Sequence, residues 1–164
     1  SFNLASLWKL PVLYIIENNK YGMGTSVDRA AAGSDLYKRG GPFGIPGELV
    51  DGMDVFKVIE SAHKAGKYVR EGKGPYILEV QTYRYRGHSM SDPAKYRTKK
   101  ELELYRTKDP IQIAHKEILQ KKIATEKELE KINKETIKKM KNAKDYALKS
   151  PFPSNEDLYT DVYV

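Results

Sequence analysis

Apolar and polar positions change period several times along the chain, and each change marks an element. Leu4, Ala5, Leu7 and Trp8 fall at helical spacing, as in the last turns of an amphipathic helix, which Pro11 ends. Val12 to Ile16 then runs without alternation, which predicts a strand buried on both faces of a parallel sheet. Glu17, Asn18, Asn19 and Lys20 break the run at once, and Gly22 and Gly24 bracket Met23, so the strand opens into a loose polar loop. Val27 to Gly47 holds no sustained period and is punctuated by glycine and proline. So long an irregular stretch is either functional, packed against a neighbour, or a surface excursion. Glu48 to Val50 predicts a short strand entering the turn Asp51-Gly52. Asp54 predicts an N-cap for a helix to Glu71, because Val55, Val58, Ile59, Ala62, Ala65, Gly66 and Val69 recur at helical spacing and Gly72 follows as a stop. Tyr76 to Tyr83 reads as a second strand, so the three elements form a βαβ unit, whose crossover is expected to be right-handed.

Downstream, Thr98 predicts the cap of a helix to Lys108, and Asp109-Pro110 restarts one with proline at the tolerated first position. Thr125 with Glu128 predicts a capping box before a long helix to Leu148, which Ser150-Pro151-Phe152-Pro153 terminates. The tail DLYTDVYV alternates and predicts an extended arm on a neighbouring subunit, or else a frayed terminus. The expected fold class is α/β: a parallel sheet with flanking helices over residues 1–97, a helical extension over 98–150 and an extended arm over 151–164.

Composition narrows the function classes. A chain of 164 residues with 40% hydrophobic content can bury one moderate core. It contains no apolar run long enough to span a bilayer, and its opening stretch, interrupted by Asn3, Ser6 and Lys9, is no secretion signal. Cysteine is absent, which excludes disulfides and thiolate metal sites. A net charge of +7 raises the alternative of a basic helical scaffold or nucleic-acid-binding module. Between Lys99 and Lys149, however, lysines alternate with Glu101, Glu103, Glu117, Glu126, Glu128, Glu130 and Glu135, as on a solvated helix face. Only Tyr105 and Tyr146 fall among them, too few for a stacking platform, so no nucleic acid is expected.

Candidate chemistry gathers at the carboxyl ends of the strands, where open α/β sheets bind ligands. The Asn19 amide oxygen and the Tyr21 carbonyl are hard, neutral donors, suited to magnesium or calcium that also holds phosphate. Asn18 and Asn19 equally suit a plain turn. The second strand leads into Arg84-Tyr85-Arg86-Gly87-His88, whose arginines and histidine make either a cationic pocket mouth or a basic surface loop. His63, beside Ala62 on the expected helix, reads as structural or solvent-facing.

ENNKYGMGTSVDRAA (Glu17 to Ala31), Val50 to Asp54 and TYRYRGHSMSDPAKYR (Thr82 to Arg97) resemble the alpha subunits of pyruvate dehydrogenase, the decarboxylating component, and the likeness covers nearly all of the chain. It implies the thiamine-diphosphate-binding fold, incomplete at the amino end. The family's Gly-Asp-Gly motif, which supplies a metal-binding aspartate, does not occur here, so the chain reads as the carboxyl-terminal part of a longer subunit, inactive alone. By resemblance, Asn19 and Tyr21 hold magnesium on the cofactor's diphosphate. His88 contacts that diphosphate and helps pass the acyl group on, while Arg84, Asp92, Tyr96 and Arg97 order the loop. Ser89 matches a serine phosphorylated in mitochondrial members. Lys95 stands before Tyr96 and Arg97 where those members carry a further serine, and the loop is one residue shorter. That departure points to a bacterial, cytoplasmic protein, with the mitochondrial matrix as the alternative. The implied reaction is oxidative decarboxylation of pyruvate and reductive acetylation of a lipoyl domain of dihydrolipoyl transacetylase. The implied partner is a beta subunit, in a heterotetramer of two alpha and two beta chains, and beta supplies the glutamate that activates the aminopyrimidine. Branched-chain 2-oxo acid and acetoin dehydrogenase alpha subunits are the related alternatives.

Overall fold

The change of period at Pro11 and the N-cap at Asp54 are the two local signals that set the frame of the first unit. In the computed structural model, which describes residues 1–162, helix α1 (Phe2–Leu7) precedes strand β1 (Leu13–Asn18). The two-residue strands β2 (Tyr21–Gly22) and β3 (Thr25–Ser26), helix α2 (Val27–Ala30) and a 3-10 helix (Leu36–Phe43) come next. Strand β4 (Gly47–Asp51), helix α3 (Val55–Arg70) and strand β5 (Tyr76–Gln81) follow, then helices α4 (Lys99–Arg106), α5 (Pro110–Gln120) and α6 (Glu126–Lys149). The chain divides into two compact units, one of Ser1–Glu117 and one that begins at Ile118.

In the first unit β1, β5 and β4 form a parallel sheet in that order. Asn18 and Asp51 both lie opposite Gln81, so the three strands end level and make one carboxyl rim. On one face Tyr76 and Leu78 of β5 pack with Val50 of β4 and with Ala65 and Val69 of α3. The α3 N-cap is formed as expected: the Asp54 carboxylate accepts hydrogen bonds from the Phe56 and Lys57 amides. Period 2 turns Ile77 and Glu79, both fully buried, to the other face.

Several expectations are corrected. The stretch from Val27 to Gly47 is not irregular throughout: α2 and the 3-10 helix lie within it, and it covers the second face of the sheet. Glycine allows this close approach, since a Cβ on Gly40 would stand 2.5 Å from Ile77 Cδ1 and one on Gly47 would overlap the Tyr37 carbonyl oxygen. Strand β1 runs Leu13–Asn18 instead of Val12 to Ile16 and is not buried on both faces in this chain, because the core under α3 is built on β5 and β4 and takes in only Leu13 of β1. Ile15 at its centre is 63% exposed. The second strand ends at Gln81, and Tyr83 leaves it to stack on Tyr105 with ring centroids 3.9 Å apart.

Thr98 accepts from the Glu101 amide at the start of α4, and Asp109 from Ile111 and Gln112 at the start of α5. Taken by itself, the second unit is dominated by α6, whose Thr125–Glu128 capping box is closed in both directions and which has no buried residue. The expected extended arm is instead a 3-10 turn over Asn155–Leu158 followed by bends. Ser154 and Asp157 cap each other there, which favours a turn over extension. Tyr163 and Val164, the end of that expected arm, lie outside the described residues. Among the described residues no helix is long and apolar enough to cross a membrane.

Candidate functional site

Two chain segments meet where β1 and β5 end. Asn18 is buried, donates from Nδ2 to Glu79 Oε1 at 2.7 Å, and accepts at Oδ1 from the Lys20 amide at 3.0 Å. Lys20 takes a left-handed conformation, φ 67°, and the chain bends there between Asn19 and Tyr21. The asparagines do make a turn, and that turn lies at the rim. The Asn19 amide donates to Glu17 Oε1 at 3.1 Å and accepts from the Thr82 hydroxyl, while the Thr82 amide donates to the Asn18 carbonyl at 2.9 Å. The end of β1 is thus stitched to the start of the segment that carries His88.

Tyr21 lies in β2 opposite Ser26. Its hydroxyl and that of Tyr83 both donate to Glu101 Oε1, at 3.0 and 3.1 Å. Burial first, and then the Glu101 carboxylate, push the Tyr21 hydroxyl up to about 12. The Tyr21 ring lies 5.4 Å from that of Tyr96, against which Gly24 also packs.

The segment from Arg84 to Arg97 is held by two side chains. Asp92 accepts from the His88 amide at 2.6 Å, the Ala94 amide at 2.8 Å and the Tyr96 hydroxyl at 2.9 Å. The two backbone donors lead in holding its carboxyl below the usual carboxylate range. Arg97 donates to the carbonyls of Arg84 and Tyr85 and lies over the Tyr83 ring, 5.4 Å from its centroid. Arg84 donates to the His88 carbonyl at 3.2 Å. Ser89 Oγ stands 3.0 Å from Ser91 Oγ on the exposed side of the loop.

Two cavities open along this rim. One, of about 260 Å³, is lined by Asn18, Asn19, Tyr21 and Gly22 among others. The second, of about 450 Å³, is lined by Tyr21, Gly22, Met23, Tyr96 and four cationic or titratable side chains, Arg84, Arg86, His88 and Arg97. Asn19 and His88 therefore line adjoining cavities that share the Tyr21-Gly22 wall. The second has no carboxylate in its lining, so it suits an anion with several oxygens. Among the described residues no group of three His, Asp or Glu side chains is placed to hold a metal. The first cavity's lining includes Asn19, whose amide oxygen is a neutral hard donor of the kind that magnesium takes beside phosphate.

His63 is exposed on α3. Sequence reading passed over Glu79, Thr82 and Glu101, which hold Asn18, Asn19 and Tyr21. Glu79 did carry a signal, as the one charged residue within the strand YILEVQ. Glu101 carried none, being one of several glutamates among lysines.

The dehydrogenase E1 component family matches residues 1–156. The chain is 53% identical over 163 residues to the pyruvate dehydrogenase E1 component subunit alpha of Rickettsia felis, covering 99% of this chain and 50% of that protein. Against the Rhizobium meliloti protein of the same name it is 54% identical over 163 residues, 99% of this chain and 47% of the relative. Against the mitochondrial subunit of Dictyostelium discoideum it is 51% identical over 166 residues, 100% of this chain and 44% of the relative. The chain spans about half the length of the curated relatives it matches.

Proposed function

We propose, because this chain belongs to the dehydrogenase E1 component family, that it is part of the alpha subunit of a pyruvate dehydrogenase and that its carboxyl rim holds thiamine diphosphate with magnesium. The observation that carries the reading is the junction of Asn19 with Thr82, which makes the oxygen-donor loop and the arginine–histidine segment neighbours along one wall. Thiamine diphosphate, when bound, supplies the electron sink for loss of carbon dioxide from a 2-oxo acid such as pyruvate. Asn19 and the Tyr21 carbonyl would hold the magnesium. Arg84 and Arg86 bring positive charge to the diphosphate. His88 lines the same cavity, where its imidazole would contact the diphosphate and would serve as proton donor or acceptor for transfer of the acyl group to a lipoyl group on dihydrolipoyl transacetylase. Asp92, Tyr96, Arg84 and Arg97 keep this segment ordered through the hydrogen bonds described above.

The partner in this reading is a beta subunit, which completes the site in a heterotetramer. Bacterial cytoplasm is the proposed location. A phosphate on the exposed Ser89 would bring close to two negative charges next in sequence to His88, which lines the cavity, and oppose an anionic cofactor. The test uses the assembled alpha–beta enzyme. Asn19→Ala should weaken magnesium-dependent binding of thiamine diphosphate about tenfold or more, and His88→Ala should slow lipoyl acetylation more than it weakens magnesium binding. An unaltered magnesium titration for Asn19→Ala would leave Asn19 as a turn residue only. Faster turnover of 2-oxoisovalerate than of pyruvate would reassign the substrate.

A further inference from the structure

Position 79 sits at the centre of β5 with no exposure, two residues after Ile77, which faces the same covering layer. Burial of a carboxylate is costly unless its oxygens are hydrogen-bonded, and an aliphatic side chain would fill such a place more cheaply. Glu79 is bonded by neutral donors from three segments. Oε1 accepts from Asn18 Nδ2 on β1 at 2.7 Å and from Gln81 Nε2 on its own strand at 3.2 Å; Oε2 accepts from the Tyr37 amide of the covering 3-10 helix at 3.0 Å.

The bond to Asn18 has a directional consequence. With its nitrogen held by the carboxylate, the Asn18 amide must turn its oxygen toward the Lys20 N–H, which it accepts at 3.0 Å. The reversed amide would face oxygen against carboxylate and N–H against N–H. The Asn18–Lys20 bond closes over Asn19 and ends on the amide of Lys20, the residue that then takes the left-handed conformation and leads into Tyr21. A carboxylate inside the sheet thereby fixes the backbone at Asn19 and the approach to the bend at the rim.

We propose that Glu79 is a positioning residue for metal binding: through the Asn18 amide it sets the turn that presents Asn19 and Tyr21. The proposal rests on the reading of this rim as a magnesium–diphosphate site.

The test is made in the full alpha subunit assembled with its beta partner, titrating magnesium in the presence of thiamine diphosphate by calorimetry, with melting temperature and pyruvate KM measured alongside. In Glu79→Gln one carboxylate oxygen becomes an NH2 group, which must oppose either the Tyr37 N–H or the Asn18 amide. The magnesium Kd should rise roughly 10- to 100-fold, with pyruvate KM unchanged at saturating metal. Asn18→Asp added to Glu79→Gln restores the pattern with the charge moved across, since an aspartate can accept both from the new side-chain NH2 group and from the Lys20 amide. This double variant should return the Kd to within a few-fold of the parent. A merely structural Glu79 would lower the melting temperature and leave the Kd unmoved.

A parent-like magnesium titration for Glu79→Gln, or a double variant no better than the single one, overturns the proposal. If Asn19→Ala weakens metal binding while Glu79→Gln does not, Glu79 loses its role and the rim keeps its own. If Asn19→Ala also binds normally, the rim reading falls and the role of Glu79 falls with it. Should Glu79→Gln fail to assemble, Asn18→Ala carries the same expectation, because it removes both bonds of the amide and leaves Glu79 held by Tyr37 and Gln81.

Discussion

Gly52 follows β4 at the carboxyl rim, and its amide donates to the Gln81 carbonyl at 2.7 Å. A Cβ at this position would lie 2.5 Å from Thr82 Cγ2, 2.7 Å from Val80 Cγ1 and 2.8 Å from the Gln81 carbonyl oxygen. Carbon atoms prefer about 3.5–4.0 Å, so Gly52→Ala must find about 1 Å against the end of β5. Side chains alone cannot yield that space, because one of the three neighbours is strand backbone. Overfilling a packed site costs about 1–3 kcal/mol, and the backbone contact argues for the upper part, about 2–3 kcal/mol. At about 2–4 °C per kcal/mol for a chain of this size, the melting temperature should drop by about 4–12 °C. The same push moves Thr82, whose hydroxyl bonds the Asn19 amide oxygen, so it reaches the candidate donor as well. Thermal unfolding of the chain followed by circular dichroism measures the first effect. Gly41→Ala is the control: nothing lies within 4 Å of its Cβ, and loss of unfolded-state freedom should stabilise by about 0.4–1 kcal/mol. A Gly52→Ala protein melting with the parent, or a Gly41→Ala protein falling as far, would refute the reasoning.

Three further outcomes are expected. Asp92 has a lowered carboxyl pKa in the folded loop, so the order it contributes is complete above the unfolded carboxylate value of about 4 and is lost as pH falls through its lowered folded value. Protection of the His88 and Ala94 amides, taken relative to their intrinsic exchange rates, should fall across that range, and protection undiminished by Asp92→Asn would contradict it. Arg97→Lys should speed proteolytic cleavage between Arg84 and Arg97, because a single ammonium nitrogen does not reproduce the planar fork whose two nitrogens reach the two carbonyls beside the Tyr83 ring; equal cleavage rates would show the fork to be dispensable. The chain by itself should bind thiamine diphosphate poorly, since two neutral donors make only part of the octahedral oxygen shell that magnesium requires, and a micromolar calorimetric isotherm would overturn this.

What could be read from the chain in order was whatever rests on near neighbours. The Asp54 cap, the Thr125–Glu128 box, proline at the start of α5 and the period of α3 all join residues within a few positions, and they appear in the fold within a residue or two of their expected limits. The segments of the candidate site were legible for a similar reason, because polar residues and glycines interrupt the strand patterns at Glu17 and again from Arg84.

The tertiary structure alone decided which partners those segments have. An unbroken apolar run in β1 gave no sign that Ile15 would be exposed in this chain, since that depends on α3 lying over β5 and β4. Periodicity could not assign Val27 to Gly47 to the second face of the sheet, because the fit there depends on glycine backbone against Ile77 and Tyr37. The bonds that shape the rim join Asn18 to Glu79, Asn19 to Thr82 and Tyr21 to Glu101, across 61, 63 and 80 residues. Local pattern carries no information over such separations; strand order and register bring the first two pairs within reach, and the packing of α4 beside β2 brings the third.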